Sequence, residues 1–98
     1  MEDRDLASAA AAGNQRAFED LVVRHRQSIY GLAYRITLNQ EDALDVTQEV
    51  LIRMADKINT YNGRGSFRSW VLTITARQAA NFLRQTSRRE TPSDEQEL

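Results

Sequence analysis

The chain has 98 residues, of which 41% are hydrophobic and 28% are charged, and its formal net charge is −1 at pH 7. This length supports a single domain, and the composition is that of a folded globular protein rather than a disordered chain. The absence of cysteine excludes disulfides and thiolate zinc sites, and a lone histidine, His25, does not make a metal site. We therefore expect neither a metal nor a cofactor. No apolar run is long enough to span a bilayer, and the acidic N-terminus is unlike a secretory signal, so we expect a cytoplasmic protein.

Charge is distributed unevenly along the chain. Residues 41–56 contain five acidic residues and one arginine, whereas residues 64–90 contain six arginines and one acidic residue. Opposite fields on one small domain would attract partners of opposite charge. The distribution therefore indicates two different partners, one with a basic surface and one that is a polyanion.

The first two predicted helices follow one another closely. The alanine-rich segment 6–12 predicts a short helix that ends at Gly13. Asn14 is a suitable N-cap for a longer helix. Its apolar face is predicted from residues at three- and four-residue spacing, namely Phe18, Leu21, Val22, His25, Ile29, Leu32 and Ile36. Because His25 shares this face, we predict a packed histidine rather than a metal ligand.

Two further helices are predicted around a glycine-containing loop. Asn39 and Asp42 form a capping signal for the third helix, whose predicted inward residues are Leu44, Thr47, Leu51, Met54, Ala55 and Ile58. Residues 59–65 predict a loop, after which Ser66 caps the last helix. That helix places its core residues on or near one face, namely Phe67, Trp70, Val71, Ile74 and Phe82.

The predicted fold class is all-α, a compact bundle of three main helices plus a short N-terminal helix. β-branched residues occur only inside helical periods, so no strand is predicted. We expect one domain over residues 1–90. The polar, acidic residues 91–98, which contain Pro92, are expected to begin a flexible linker.

The outward face of the third predicted helix carries a mixed polar stripe. At helical spacing it presents Asp45, Gln48, Glu49, Ile52, Arg53 and Asp56. Most such stripes are simply exposed to solvent. Exposure does not stabilise an isoleucine, however, and Ile52 lies at the centre of this stripe. An apolar anchor ringed by directional polar groups is typical of a protein interface, and paired carboxylates suit arginine side chains. We therefore predict a basic protein partner for this face.

The last predicted helix carries a cationic stripe formed by Thr73, Arg77, Asn81, Arg84 and Arg88. Such groups hold phosphates and read base edges, although a solvated basic face is an equal alternative. The preceding loop favours nucleic acid, because aromatic residues can stack on unpaired bases and glycine allows close backbone approach. The residues concerned are Tyr61, Asn62, Gly63, Arg64 and Phe67. Together they favour single-stranded DNA, while Trp70 is either a core residue or a stacking platform.

Several sequence elements together resemble region two of bacterial sigma factors, most closely those of the extracytoplasmic-function (ECF) group. They are the segments 45–53 (DVTQEVLIR), 67–76 (FRSWVLTITA) and 81–84 (NFLR). The segment 13–22 (GNQRAFEDLV), with Tyr30, is similar to the start of the same domain. The resemblance covers residues 6–89, and the combination of elements is specific.

The resemblance implies a transcription initiation factor domain, not an enzyme. In this family the third helix binds a coiled coil of the largest subunit of core RNA polymerase, a role that falls here on Asp45, Gln48 and Glu49, with Ile52 and Arg53 on the same face. The loop and last helix recognise and open the minus-ten promoter element and capture a flipped base of the non-template strand. Here the loop 59–66 and the start of the last helix would do this through Tyr61, Asn62, Gly63, Arg64, Ser66 and Phe67. Asn81 would read bases, and Arg77, Arg84 and Arg88 would hold phosphates.

Two departures from the family pattern qualify these expectations. Many relatives carry an asparagine one helical turn before Asn81, where this chain has Arg77, so we expect an altered base preference or a phosphate clamp there. A complete member has a second, helix-turn-helix domain for the minus-thirty-five element, whereas this chain is expected to stop in the linker. Promoter binding by this domain alone should therefore be weak and sensitive to salt.

One alternative from another functional class stays open. Both charged faces could bind proteins, which would make the chain a helical interaction module without direct DNA binding. If the chain is a sigma factor domain, as the resemblance implies, an anti-sigma factor is a further expected partner. Catalysis is not supported, because the chain has no cysteine, one histidine and no glycine-rich phosphate-binding motif.

Overall fold

The structure, a computed structural model, describes residues 1–90, with side chains described for residues 1–87. Its elements are α1 (Asp3–Ala11), α2 (Gln15–Thr37), α3 (Gln40–Lys57), a short 3-10 helix (Ile58–Thr60) and α4 (Phe67–Glu90). Every regular element in this part of the chain is helical, which confirms the predicted all-α bundle. None of the described helices combines the length and apolar character needed to cross a membrane. The predicted linker, residues 91–98, lies outside the described residues.

The predicted helix starts at α2, α3 and α4 are confirmed by side-chain caps. The Asn14 side chain accepts a hydrogen bond from the Ala17 N–H at 3.0 Å. The Asn39 side chain accepts one from the Asp42 N–H at 2.9 Å, and the Ser66 hydroxyl accepts one from the Ser69 N–H at 2.9 Å. Each cap satisfies a backbone donor that the first helical turn leaves without a partner.

Helix α1 begins three residues before its predicted start at Leu6. Asp3 and Asp5 lie in its first turn, where negative charge interacts favourably with the helix dipole. The helix ends just before Gly13, as predicted, and Gly13 has a φ of 103°, a conformation that strains other residues. The Gly13 and Asn14 N–H groups donate to carbonyls of the last turn of α1, which closes the connection to α2.

The core lies where α2, α3 and α4 meet, with α1 packed across α2. It contains Leu6, Ala7, Ala17, Leu21, Ile29, Ala33, Ala43, Val46, Val50, Met54, Ile58, Phe67, Val71, Ile74 and Ala79. His25 is buried among them, as predicted from its spacing. The buried hydroxyls of Thr47 and Thr75 donate to carbonyls one turn earlier, Ala43 at 2.7 Å and Val71 at 2.9 Å, so neither leaves a polar group unsatisfied.

The predicted inward face of α3 is partly wrong. Leu44 is 54% exposed and Ala55 is exposed, whereas Ala43, Val46 and Val50 are buried. Because α3 packs against both α2 and α4, it buries a broad face whose centre is rotated from the predicted stripe. Ala43 has no exposed surface.

Candidate protein and nucleic-acid interfaces

The residues predicted to bind a protein lie together on the outer surface of α3. Asp45, Gln48, Ile52 and Arg53 are exposed and Glu49 is half-buried. The Arg53 Nε donates a hydrogen bond to a Glu49 carboxylate oxygen at 3.1 Å, an ion pair between successive helical turns. Ile52 is 56% exposed between these polar side chains, so the surface has the composition expected of an apolar contact with a polar rim.

Beside this surface, α2 and α3 enclose a largely apolar groove of about 820 Å³. We call it the α2–α3 groove, and its lining residues are Val22, Val23, Arg26, Gln27, Tyr30, Leu44, Thr47, Gln48, Leu51 and Ile52. Val23 is 78% exposed here. The sequence interpretation missed Val23 and Leu44, although adjacent Val22 and Val23 cannot both face the core of one helix. The exposed apolar surface is therefore wider than predicted.

The cationic stripe of α4 lies next to the acidic side of α3. A second groove, of about 380 Å³, is lined by Asp45, Val46, Glu49, Arg53, Gln78, Asn81, Phe82 and Gln85. Asn81 is half-buried in this groove, and an Arg84 guanidinium nitrogen donates to its side-chain oxygen. The two predicted interfaces therefore meet along the α3–α4 contact.

Toward the loop, the same helices form a smaller basic cleft. Its volume is about 200 Å³, and it is lined by Arg53, Lys57, Thr60, Trp70, Ile74, Arg77 and Gln78. Arg77 and Arg84 are exposed, as a phosphate contact requires, whereas the Arg88 side chain lies outside the described side chains. Arg53, predicted for the protein partner, thus lines both α3–α4 grooves.

The loop between the 3-10 helix and α4 is organised by its own side chains. The Tyr61 hydroxyl donates to the Gly65 carbonyl at 2.8 Å, and the Asn62 side-chain oxygen accepts from the Arg64 N–H at 2.9 Å. Gly63 and Gly65 adopt φ values of 83° and 68°, which favour glycine over other residues. Arg64 and Ser66 are exposed, so polar groups surround the turn.

Phe67 is only 2% exposed, which confirms its predicted place on the core face of α4 and contradicts the further expectation that it stacks on a base. It is the centre of an aromatic cluster in which its ring centroid lies 5.3 Å from each of the rings of His25, Tyr61 and Trp70. Tyr61 meets Phe67 edge-on at 90° and is half-buried, as is Trp70. Trp70 is therefore part of the shell of the core, and Tyr61 is the aromatic residue of the loop that stays accessible.

The N-terminal helix also reaches the loop, which the sequence interpretation missed. A cleft of about 410 Å³ is lined by Glu2, Asp3, Arg4, Tyr61, Gly63, Gly65, Ser66 and Phe67. No local motif in residues 2–4 signals this contact, because it depends on how α1 packs. The base-capturing loop predicted from the resemblance therefore has a wall contributed by α1.

Comparison with known proteins identifies the family. The sigma-70 region 2 family model matches residues 21–89. The chain is 31% identical over 93 residues to the RNA polymerase sigma-H factor of Pseudomonas aeruginosa, covering 95% of this chain and 48% of that protein. It is 37% identical over 81 residues to the ECF RNA polymerase sigma factor SigE of Mycolicibacterium smegmatis, covering 80% of this chain and 31% of that one. The chain thus spans about half, or less, of the length of these relatives.

Solved structures agree with this assignment. An engineered region 2 of sigmaE, determined by NMR in complex with GTAAAA, superposes with a TM-score of 0.85 at 29% identity, covering 92% of this chain and 94% of that one. CnrH in complex with the cytosolic domain of CnrY gives a TM-score of 0.74 at 32% identity, covering 81% and 51%. Members of this family are transcription initiation factors rather than enzymes, and their region 2 in general binds RNA polymerase and recognises the minus-ten promoter element. The chain belongs to the sigma-70 region 2 family, and its relatives place it in the ECF group.

Proposed function

We propose that this chain binds core RNA polymerase through α3 and the α2–α3 groove, and holds the single-stranded non-template strand of a minus-ten element with its loop and α4. The observation that carries the proposal is the position of the glycine-containing loop, directly upstream of a helix whose outward residues Arg77 and Arg84 are exposed. The similarity to an engineered sigmaE region 2 in complex with GTAAAA supports single-stranded DNA as the ligand of this surface.

For the polymerase, the proposed contact is an apolar centre with carboxylates at its edge. Val23, Leu44 and Ile52 supply exposed apolar area, while Asp45 and Glu49 supply charge. Burial of such an anchor contributes most of the binding free energy of an interface, and the surrounding charges select a basic partner surface. A coiled coil of the largest polymerase subunit, with one helix lying in the groove, fits this description.

For the DNA strand, we propose that a flipped base enters the cleft between the loop and α1. Stacking on the accessible face of Tyr61 would offset part of the few kcal/mol that flipping a base costs, at about 1–3 kcal/mol per stacked base. Asn81 would read base edges from its half-buried position. Arg84, which donates a hydrogen bond to Asn81, would contact the sugar-phosphate backbone of the DNA. Arg88 would extend the phosphate contacts along α4.

This function requires partners that are found in the bacterial cytoplasm, where we therefore place the protein. An anti-sigma domain is a second proposed partner, because CnrH, a structural relative, forms a complex with the cytosolic domain of CnrY. The exposed apolar area of the α2–α3 groove also supports the alternative of a protein-interaction module that does not bind DNA. DNA binding separates the two alternatives.

The test is fluorescence anisotropy of labelled single-stranded GTAAAA, with its complement TTTTAC as the matched control, at several salt concentrations. Selective binding to the first oligonucleotide that weakens as salt rises supports the proposal. Equal binding of both sequences would reduce the role of α4 to a nonspecific cationic surface. No binding to either oligonucleotide at low salt would favour the interaction module.

A further inference from the structure

The first turn of α1 is fixed to α2 by a single carboxylate. One oxygen of Asp3 accepts a hydrogen bond from an Arg24 guanidinium nitrogen at 3.0 Å, and the other lies 2.8 Å from the Nε2 of His25. We call these three residues the Asp3 cluster. Asp3 is partly shielded and His25 is buried, so this contact is less open to competing water than a surface ion pair. The cluster therefore helps to hold the N-terminus of α1 on α2, together with the buried side chains of Leu6 and Ala7.

From this fixed turn, α1 reaches the loop through Arg4. A Cβ atom placed on Gly63 would lie 3.2 Å from the Cδ of Arg4, so the aliphatic part of Arg4 packs directly against the loop backbone. The only ion pair of Arg4 among the described residues is a 4.0 Å contact with exposed Glu2. Arg4 therefore contributes packing at its stem, while its guanidinium stays exposed to solvent.

A second route connects the Asp3 cluster to the same loop. The His25 ring, held by Asp3, lies 5.3 Å from the ring of Phe67, and Phe67 in turn packs edge-on against Tyr61. The side-chain hydrogen bonds of Tyr61 and Asn62 are made within the loop, and the Tyr61 N–H donates to the Ile58 carbonyl of the adjoining 3-10 helix. Contact with α1 and the aromatic cluster therefore holds the loop against the bundle, in addition to its connection to the 3-10 helix.

We propose that Asp3 is a positioning residue for the base-capturing loop. The proposal rests on the proposed function, since it assigns a role in binding the minus-ten strand. By fixing α1, Asp3 keeps Arg4 against Gly63 and His25 against Phe67, so the loop is ordered before DNA arrives. Binding then needs less ordering of the loop, which increases affinity without any new contact to DNA.

The test compares Asp3→Ala with Asp5→Ala. Asp5 lies in the same helical turn and is exposed, and its side chain makes no hydrogen bond or ion pair within the described part of the chain. Both variants therefore remove one negative charge from the first turn of α1. We expect Asp3→Ala to weaken binding of GTAAAA about fivefold to tenfold, corresponding to the loss of one to two hydrogen bonds. We expect Asp5→Ala to bind as the parent chain does or slightly more tightly, because a charge that repels phosphate is gone.

Two further readouts separate positioning from general loss of structure. Trp70 is the only tryptophan of the chain and packs against Phe67 and Tyr61, so its fluorescence reports the loop environment. Asp3→Ala should change this emission and leave affinity for core polymerase within about twofold, since the α2–α3 groove lies elsewhere. A parallel loss of polymerase binding would assign Asp3 to overall stability and overturn the proposal.

The Arg4 variants keep the proposal testable even if Asp3→Ala does not fold. Arg4→Ala should bind GTAAAA about threefold more weakly, as expected for a lost packing contact, and Arg4→Met, which retains the aliphatic stem against Gly63, should recover most of that loss. Equal losses in both, with a lower salt dependence, would make Arg4 a direct phosphate contact and contradict the packing route.

A parent chain that binds no oligonucleotide refutes the proposed function itself. A binding parent with indistinguishable Asp3→Ala and Asp5→Ala variants refutes only the role of Asp3.

Discussion

The proposed polymerase-binding surface and the proposed DNA-binding surface of this domain are built differently. On the first side, the candidate residues project from two long helices, and their positions are set by helical geometry. On the second side, the critical segment is a short turn with two glycines at positive φ, positioned by an aromatic cluster and by α1. The proposed protein-binding surface is therefore preformed, whereas the proposed base-binding site depends on tertiary contacts behind it.

The largest expected effect concerns the residue at the centre of those tertiary contacts. Phe67→Ala should lower the free energy of unfolding by about 3–5 kcal/mol, because a large buried aromatic side chain is removed and leaves a cavity. Urea denaturation measures this, and Ile52→Ala is the control, with an expected change within about 0.5 kcal/mol for an exposed position. A stable Phe67→Ala variant with reduced DNA binding would instead return Phe67 to the role of a stacking residue.

The second prediction addresses the preformed side. Ile52→Ala should weaken binding to core polymerase by about 1–2 kcal/mol, since an apolar anchor at the centre of an interface carries much of its binding energy. Leu83→Ala is the matched control, because Leu83 is also an exposed aliphatic residue but lies on α4, outside both α3–α4 grooves. Titration of labelled polymerase with each variant gives both values. If the two variants lose equal affinity, the α3 surface is not the anchor.

The third prediction separates positioning from reading on α4. Arg84→Ala should weaken binding to every oligonucleotide. It should also lower the slope of log affinity against log salt concentration by about 0.7, as the loss of one phosphate contact with a single strand requires. Asn81→Ala should reduce the preference for GTAAAA over TTTTAC by about 1–2 kcal/mol, because an amide that reads a base edge is removed. Anisotropy titrations at several salt concentrations measure both quantities.

Because Arg84 donates a hydrogen bond to Asn81, these two substitutions are not independent. The double variant should show a coupling energy of about 0.5–1 kcal/mol, since each side chain restrains the other. Additive effects would mean that the bond is broken when DNA binds. If Asn81→Ala binds oligonucleotides more weakly but keeps the preference for GTAAAA over TTTTAC, Asn81 is not the base-reading residue.

The same contrast explains how much could be predicted from the sequence. The caps at Asn14, Asn39 and Ser66 and the buried position of His25 depend on spacing along one helix, and all four predictions are confirmed. The inward face of α3 was predicted incorrectly at Leu44, because spacing shows that a helix has an apolar side but not how two neighbours share it. Family resemblance identified region 2, and the comparisons confirm it.

Two contacts in the candidate site could not be predicted, for a physical reason. Spacing places Phe67 on the core face of its helix, but the aromatic cluster that it forms with His25, Tyr61 and Trp70 joins separate elements. The bond between Asp3 and His25 spans 22 positions and joins two helices. Neither contact leaves a local pattern, because each is decided by how helices pack after they form.

The smallest expected effect tests whether the preformed side carries any strain of its own. Leu38 ends α2 with a φ of 57°, its N–H donates to the Tyr34 carbonyl at 2.7 Å, and its side chain is 74% exposed. A leucine in this left-handed conformation is strained, whereas asparagine tolerates it, so Leu38→Asn should raise the free energy of unfolding by about 0.5–1 kcal/mol. Leu83→Asn, at an exposed position inside α4, should instead lower it by up to about 0.5 kcal/mol through reduced helix propensity. Urea denaturation distinguishes the two signs, and a destabilised Leu38→Asn would mean that the leucine side chain packs more than its exposure indicates.

If Leu38→Asn is more stable but binds core polymerase more weakly, the strained leucine is a contact of the polymerase surface. That surface would then extend from the α2–α3 groove to the turn that joins these two helices.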